Sequence, residues 1–166
     1  MVYMDANKFD GLAWIKNYTF SNGNIEVDIK GTNNTGQSFV GIAFHGLNDS
    51  TFDAVYFRPF NFDDQNKLDK TVQYISEPVY YWKNLREQFP GVYENKAIPV
   101  PEPEEWFHAT IEIQFPMVKV YVNNATEPSL IVKQLSKRKQ GYVGFWVGYG
   151  SDGWFKNLSI TPAEQN

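Results

Sequence analysis

The sequence predicts an all-β protein, a two-sheet antiparallel β-sandwich with minimal helix. Three observations carry that prediction. Short stretches alternate apolar and polar residues with period two, as at residues 24–30. Clusters of Asn, Gly, Ser, Asp and Pro punctuate them at regular spacing. No segment shows a convincing amphipathic helical period. The sandwich is preferred to an up-and-down barrel because residues 39–44 and 143–147 are apolar on both faces.

The elements follow in order. Ser21-Asn22-Gly23 is turn chemistry before the strand at 24–30, where Ile25, Val27 and Ile29 oppose Glu26, Asp28 and Lys30. Residues 38–45 are nearly all apolar and form a strand covered on both sides. The strand at 51–57 ends at Arg58-Pro59, since proline removes a ladder donor. Residues 61–70 form a polar loop, and a strand follows at 70–76. Residues 77–100 leave this rhythm, with Pro78, Pro90 and Pro99 in the stretch and a helical turn or two at 82–88 that Pro90 stops. Long ordered excursions on β scaffolds often carry function. Strands at 106–115, 117–123, 129–132, 141–149 and 153–160 complete about ten, with Asn123-Asn124 as a turn.

Composition narrows the function. The 166 residues favour one domain, 1–166, and the net charge of −4 argues against a nucleic-acid or anionic-membrane binder. Aromatic residues reach 17%, so the chain collapses rather than staying disordered. With no cysteine, disulfide frameworks, thiol nucleophiles and thiolate metal sites are excluded. Two histidines cannot build a three-histidine metal centre. No run of about 18 apolar residues spans a bilayer. Residues 1–7 hold no signal-peptide core, which leaves the compartment open between the cytoplasm and export with a trimmed signal.

The candidate site is aromatic and cationic. Tyr56 and Arg58 share a strand face, Gln73 and Tyr74 follow on the next strand, and Trp82, Arg86 and Glu94 lie in the excursion. Trp146 stands between Gly144 and Gly148 on one face, which leave open space beside its ring, as a sugar platform or as a covered flat patch of sheet. Sugars are bound by rings stacked on their C–H faces and by planar polar groups on their hydroxyls, which these residues supply. Two readings of Arg58 stand open: it bonds a ligand, or it pairs with Glu77, Glu94 or Asp53. Phe57, Phe60 and Phe62 read as core. Glu26 and Asp28 form a carboxylate pair on one face, and a solvated outer face suits them better than glycoside hydrolysis. His45 reads as a hydrogen-bonded rim residue. No cofactor is expected. Asp49, Asp53, Asp63 and Asp64 could offer oxygens to calcium but lack EF-hand spacing.

Several stretches resemble the concanavalin A-like lectin/glucanase superfamily of jelly rolls. They are residues 20–28, 39–44, 118–123 and 141–146, with the closing Phe155-Lys156-Asn157-Leu158-Ser159-Ile160. The closest likeness is to laminin-G-like domains and to the bacterial 3-keto-disaccharide hydrolase family of glycosyl-hydrolase-like proteins. The resemblance implies two curved sheets with ligands on the concave face or its rim, where Tyr56, Arg58, Gln73 and residues 82–94 would lie. The expected function is a lectin-like module binding a carbohydrate or another polyhydroxylated ligand. The alternatives are a glycoside hydrolase-like enzyme using Glu94, Glu77 or Asp53, and a laminin-G-type adhesion module.

Overall fold

The computed structural model describes residues 1–164. Among them, twelve strands form two six-stranded antiparallel sheets. The first sheet runs β1 (Val2–Met4), β12 (Gly153–Pro162), β3 (Gly23–Lys30), β8 (Phe107–Gln114), β9 (Met117–Val122) and β10 (Leu130–Lys133). The second runs β2 (Gly11–Trp14), β11 (Tyr142–Val147), β4 (Val40–Asn48), β5 (Thr51–Phe57), β6 (Val72–Glu77) and β7 (Glu94–Asn95). A short helix, α1 (Trp82–Gln88), lies between β6 and β7 in the chain.

The main core fills the space between the sheets. Ile25, Val27 and Ile29 of β3 are fully buried there, with Ile111 of β8 and Val120 of β9. Val40, Ile42 and Phe44 of β4 and Val55 and Phe57 of β5 meet them from the second sheet. Burying one such side chain is worth about 1.5–3 kcal/mol. A one-residue slip would turn the whole set outward, so this burial fixes register.

β4 and β5 are buried on both faces because a second apolar layer covers the outside of their sheet. It comprises Ala43, Phe52, Ala54, Tyr56, Ile75, Trp146 and Leu85, the last supplied by α1. The edge strands β1, β2 and β7 were not foreseen. With three, four and two residues, they are too short to show a period. Asn123 and Asn124 take left-handed φ values of 51° and 57°, as the turn reading requires.

A buried polar knot closes one end of the sandwich. Asp53 Oδ1 accepts from Ser76 Oγ at 2.6 Å and Arg138 Nη2 at 3.0 Å. Its Oδ2 accepts from Ser136 Oγ at 2.7 Å and Tyr74 OH at 3.2 Å. The Leu135 amide donates to that same hydroxyl at 2.9 Å. Burial pushes the Asp53 carboxyl above its ordinary pKa, against the pull of Ser76, Ser136 and Arg138. His45 is buried rather than at the rim, its Nε2 2.6 Å from the Ser21 carbonyl and its Nδ1 2.9 Å from Gln134 Nε2. Burial lowers its pKa, so the ring is neutral and Nε2–H is the donor.

Candidate functional site

One cross-strand row floors the site. Leu12, Trp146, Gly41, Tyr56, Gln73 and Glu94 stand directly opposite one another across all six strands of the second sheet. Gly41 leaves a gap between Trp146 and Tyr56, whose rings meet at 4.6 Å between centroids. A Cβ at Gly41 would lie 2.0 Å from the Val55 carbonyl oxygen. The space expected beside Trp146 is not open. Phe39 fills it, lying 2.8 Å from where a Gly148 Cβ would be. At 4% exposure, Trp146 belongs to the floor and is not a free stacking platform. Its Nε1–H is buried and interacts with the Asp10 carboxylate, without a close, well-aligned hydrogen bond among the described residues.

Arg58 follows β5 and points along the Tyr56 face. It is 4% exposed. Nη2 donates to Tyr56 OH and to Gln73 Oε1, each at 3.0 Å, and Nη1 donates to the Lys70 carbonyl at 3.2 Å. The guanidinium also lies 5.1 Å from the Tyr56 ring centroid and 5.9 Å from that of Phe39. Burial pushes the Tyr56 hydroxyl up to about 12, so it stays protonated. None of the expected carboxylate partners reaches Arg58. Asp53 faces the interior, Glu77 sits opposite Phe52 at the far end of β6, and Glu94 binds Arg86.

Gln73 is fully buried. Its Nε2 donates to the Tyr74 and Tyr93 carbonyls at 2.9 and 3.2 Å, leaving Oε1 to accept from Arg58. It positions the guanidinium instead of reaching a ligand. Tyr74 is its neighbour on the strand and therefore points the other way, into the core and the Asp53 knot.

α1 builds the opposite wall. Leu85 anchors it to the sheet, while Trp82 and Arg86, four residues apart, share one side. The Arg86 guanidinium lies 4.9 Å from the Trp82 ring centroid, and its Nε donates to Glu94 Oε2 at 3.0 Å. Trp82 is 42% exposed, which leaves a ring face for a ligand. Glu94 Oε1 is buried with no partner among the described residues.

Between the walls lies a cavity of about 260 Å³ lined by Arg58, Lys67, Lys70, Arg86, Asn61 and three aromatic rings, Phe39, Phe60 and Trp82. An adjoining cavity of about 110 Å³ shares Phe39 and Trp82 and reaches Trp146, Tyr149 and Asp10. Of the larger recesses, those of about 420 Å³ beside Gly23 and Thr161 and about 530 Å³ beside Asp63 and Glu104 have no aromatic lining residue, whereas one of about 500 Å³ is lined by Trp14, Tyr18 and Tyr142 with Lys16 as its one charged residue. The structure thus gathers Tyr56, Arg58, Gln73, Trp82, Arg86, Glu94 and Trp146 on one face and excludes Tyr74. Sequence reasoning missed Phe39, Lys67 and Lys70 and placed Phe60 in the core. Lysines in the loop directly after Arg58 were the available signal.

The remaining acidic candidates lie apart from this groove. On the outer face of the first sheet, His108 Nδ1 lies 2.8 Å from Asp28 Oδ1 and Nε2 lies 3.2 Å from Glu26 Oε1. Burial opposes protonation of His108, but the two carboxylates outweigh it and raise its pKa. Of the calcium candidates, Asp49 accepts from Trp14 Nε1, Asp63 from Asn33 Nδ2 and Asp64 from the Asn66 amide.

No family model and no curated protein sequence matches this chain. Solved structures do share its fold. The carbohydrate-binding module CBM66 from Bacillus subtilis is 15% identical with a TM-score of 0.66, covering 95% of this chain and 89% of that one. A candidate glycosyl hydrolase from Parabacteroides distasonis is 14% identical with a TM-score of 0.63, covering 98% and 90%. Congerin II bound to lactose and MES is 15% identical with a TM-score of 0.59, covering 91% and 100%. At these identities the likeness establishes a galectin-like β-sandwich and nothing finer.

Proposed function

We propose that this chain is a lectin-like carbohydrate-binding module whose site is the groove between α1 and the loop after β5. The observation that carries this is the half-open Trp82 ring facing the buried Arg58 across a ligand-sized cavity. A sugar ring stacks its C–H face on Trp82. Arg58, Arg86 and Asn61 donate to its oxygens. Gln73 and Tyr56 hold Arg58 in place, so little freedom is lost on binding. The shared fold with CBM66 and lactose-bound congerin II supports a sugar as the partner.

Glycoside hydrolysis needs two carboxyl groups roughly 5–9.5 Å apart at the scissile bond. Among the described residues, none lines the main cavity. Glu94 is engaged by Arg86, and Asp10 lies in the adjoining cavity. A recessed groove also suits a small ligand better than the flat polar face of a protein-adhesion module. The binding is proposed to need no calcium. Among the described residues, no helix is long and apolar enough to cross a membrane. A glycan array, run with calcium and with chelator, tests the proposal. It should return the same bound glycans in both runs, and Trp82→Ala should lose them. An array with no bound glycan, or turnover of the bound one, would overturn it.

A further inference from the structure

We infer that the sugar recognised by this groove carries an anionic group, a carboxylate on the ring, which seats against Arg58 and Lys67. The inference rests on the sugar-binding reading and specifies its substrate class. Four cations, Arg58, Lys67, Lys70 and Arg86, line one cavity with no acidic side chain among its lining residues. This is a local feature of a chain whose net charge is −4. Two of the four already have counter-charges: Arg86 has Glu94 at 3.0 Å, and Lys70 has Asp69 at 3.9 Å. Arg58 and Lys67 have no carboxylate within 4.0 Å among the described residues.

Arg58 decides the argument. It is 4% exposed, and its only protein acceptors are neutral: a phenol, an amide and a backbone carbonyl. These take three of its five N–H groups and leave two free. A guanidinium withdrawn from water without a counter-ion is costly, and neutral acceptors offset only part of that cost. A ligand hydroxyl would satisfy hydrogen bonds but leave the charge uncompensated. A carboxylate does both, because its planar oxygens match the guanidinium N–H geometry. Trp82 and Phe60 flank the cations, so one ligand presents a ring face and an anion together. A carboxylate and a sulfate ester share this chemistry, and the experiment separates them.

The test is calorimetric titration of the folded chain with four tetrasaccharide probes: α-1,4-galacturonate, its methyl ester, a neutral galactose oligomer and a sulfated galactose oligomer. Each is run at about 20 and about 200 mM NaCl, which brackets the change in screening length. The acid should bind about tenfold or more tighter than its ester, and salt should weaken only the anionic probes. Arg58→Gln should abolish the acid-over-ester preference. Lys67 is exposed, so Lys67→Gln keeps the fold and should narrow the preference. An unchanged preference in that variant would overturn the seat named here. Sulfated oligomer alone would keep the sugar-borne anion and reassign its source to sulfate. Equal binding of acid, ester and neutral oligomer would overturn the inference while the sugar-binding reading stands. Silence from all four probes, together with an empty glycan array, would overturn both.

Discussion

Asp53→Ala should be among the most destabilising single substitutions in this protein. The carboxylate is fully buried and accepts four hydrogen bonds, from Ser76, Arg138, Ser136 and Tyr74. Serine hydroxyls can re-aim, but Arg138 and Tyr74 would be left facing a void. Breaking a buried pair by removing one partner costs about 3–5 kcal/mol. For a chain of this length that corresponds to a Tm fall of about 6–20 °C. Asp53→Asn should cost much less, because an amide keeps the shape and removes a desolvated charge. The pH dependence has a definite sign. The folded carboxyl titrates above its unfolded value of 3.8, so lowering the pH between those two values protonates the folded state first. The wild type therefore gains on the Asn variant in that window. Urea unfolding across pH reads all three effects. Loss below about 1 kcal/mol for the Ala variant, the scale of a minor surface contact, would refute the reasoning. Because Asp53 lies on the inner face, glycan binding by the folded Ala variant should be unchanged. A lost glycan would show that the knot reaches the groove.

Trp82→Ala should lower sugar affinity by about tenfold, from about 1–1.5 kcal/mol of lost ring contact, with little change in Tm because the ring is half exposed; parallel calorimetry and thermal melts check this. Gly41→Ala should destabilise by about 1–3 kcal/mol, since its methyl would meet the Val55 carbonyl and the Tyr56 backbone, and chemical denaturation measures it. His108 has a raised folded pKa. The stability it adds should be fully present below its unfolded value of 6.5 and be lost as pH rises through the folded value. The advantage of wild type over His108→Gln in urea midpoint should therefore shrink as pH rises above 6.5. Chelator should leave the Tm unchanged within error, because Asp49, Asp63 and Asp64 already accept from protein donors.

The long strands were legible because period two is a direct image of one-sided burial. Ile25, Val27 and Ile29 face the core, while Glu26 and Asp28 face out. The same rule separates Gln73 from Tyr74, yet sequence reasoning put both on the ligand face. Adjacent strand residues cannot share a side. The edges were illegible for the opposite reason, since Glu94-Asn95 has no room for a pattern and is placed by its partner β6. Trp146 misled because Gly148 looked vacant, and the occupant, Phe39, comes from a distant part of the chain. Lys67 and Lys70 are marked only by lying in the loop that follows Arg58. Their loop is brought beside α1 only by tertiary packing.

The row from Leu12 to Glu94 has a consequence for how such a site can change. Its six residues come from six strands, and each is locked by partners on both sides or by the core beneath. Arg58 and Phe39 apart, the cations and rings above it stand on two connections, residues 59–70 and 82–88, that contribute little to the main core. Foundation and superstructure are therefore separable. Exchanging those two connections for sequences of other charge would retarget the groove while the sheet beneath keeps its register. Altering the row would unseat every wall at once. A library varied at Asn61, Lys67, Lys70, Trp82 and Arg86 would explore ligands, whereas one varied at Gly41, Tyr56 and Gln73 would mostly explore misfolding.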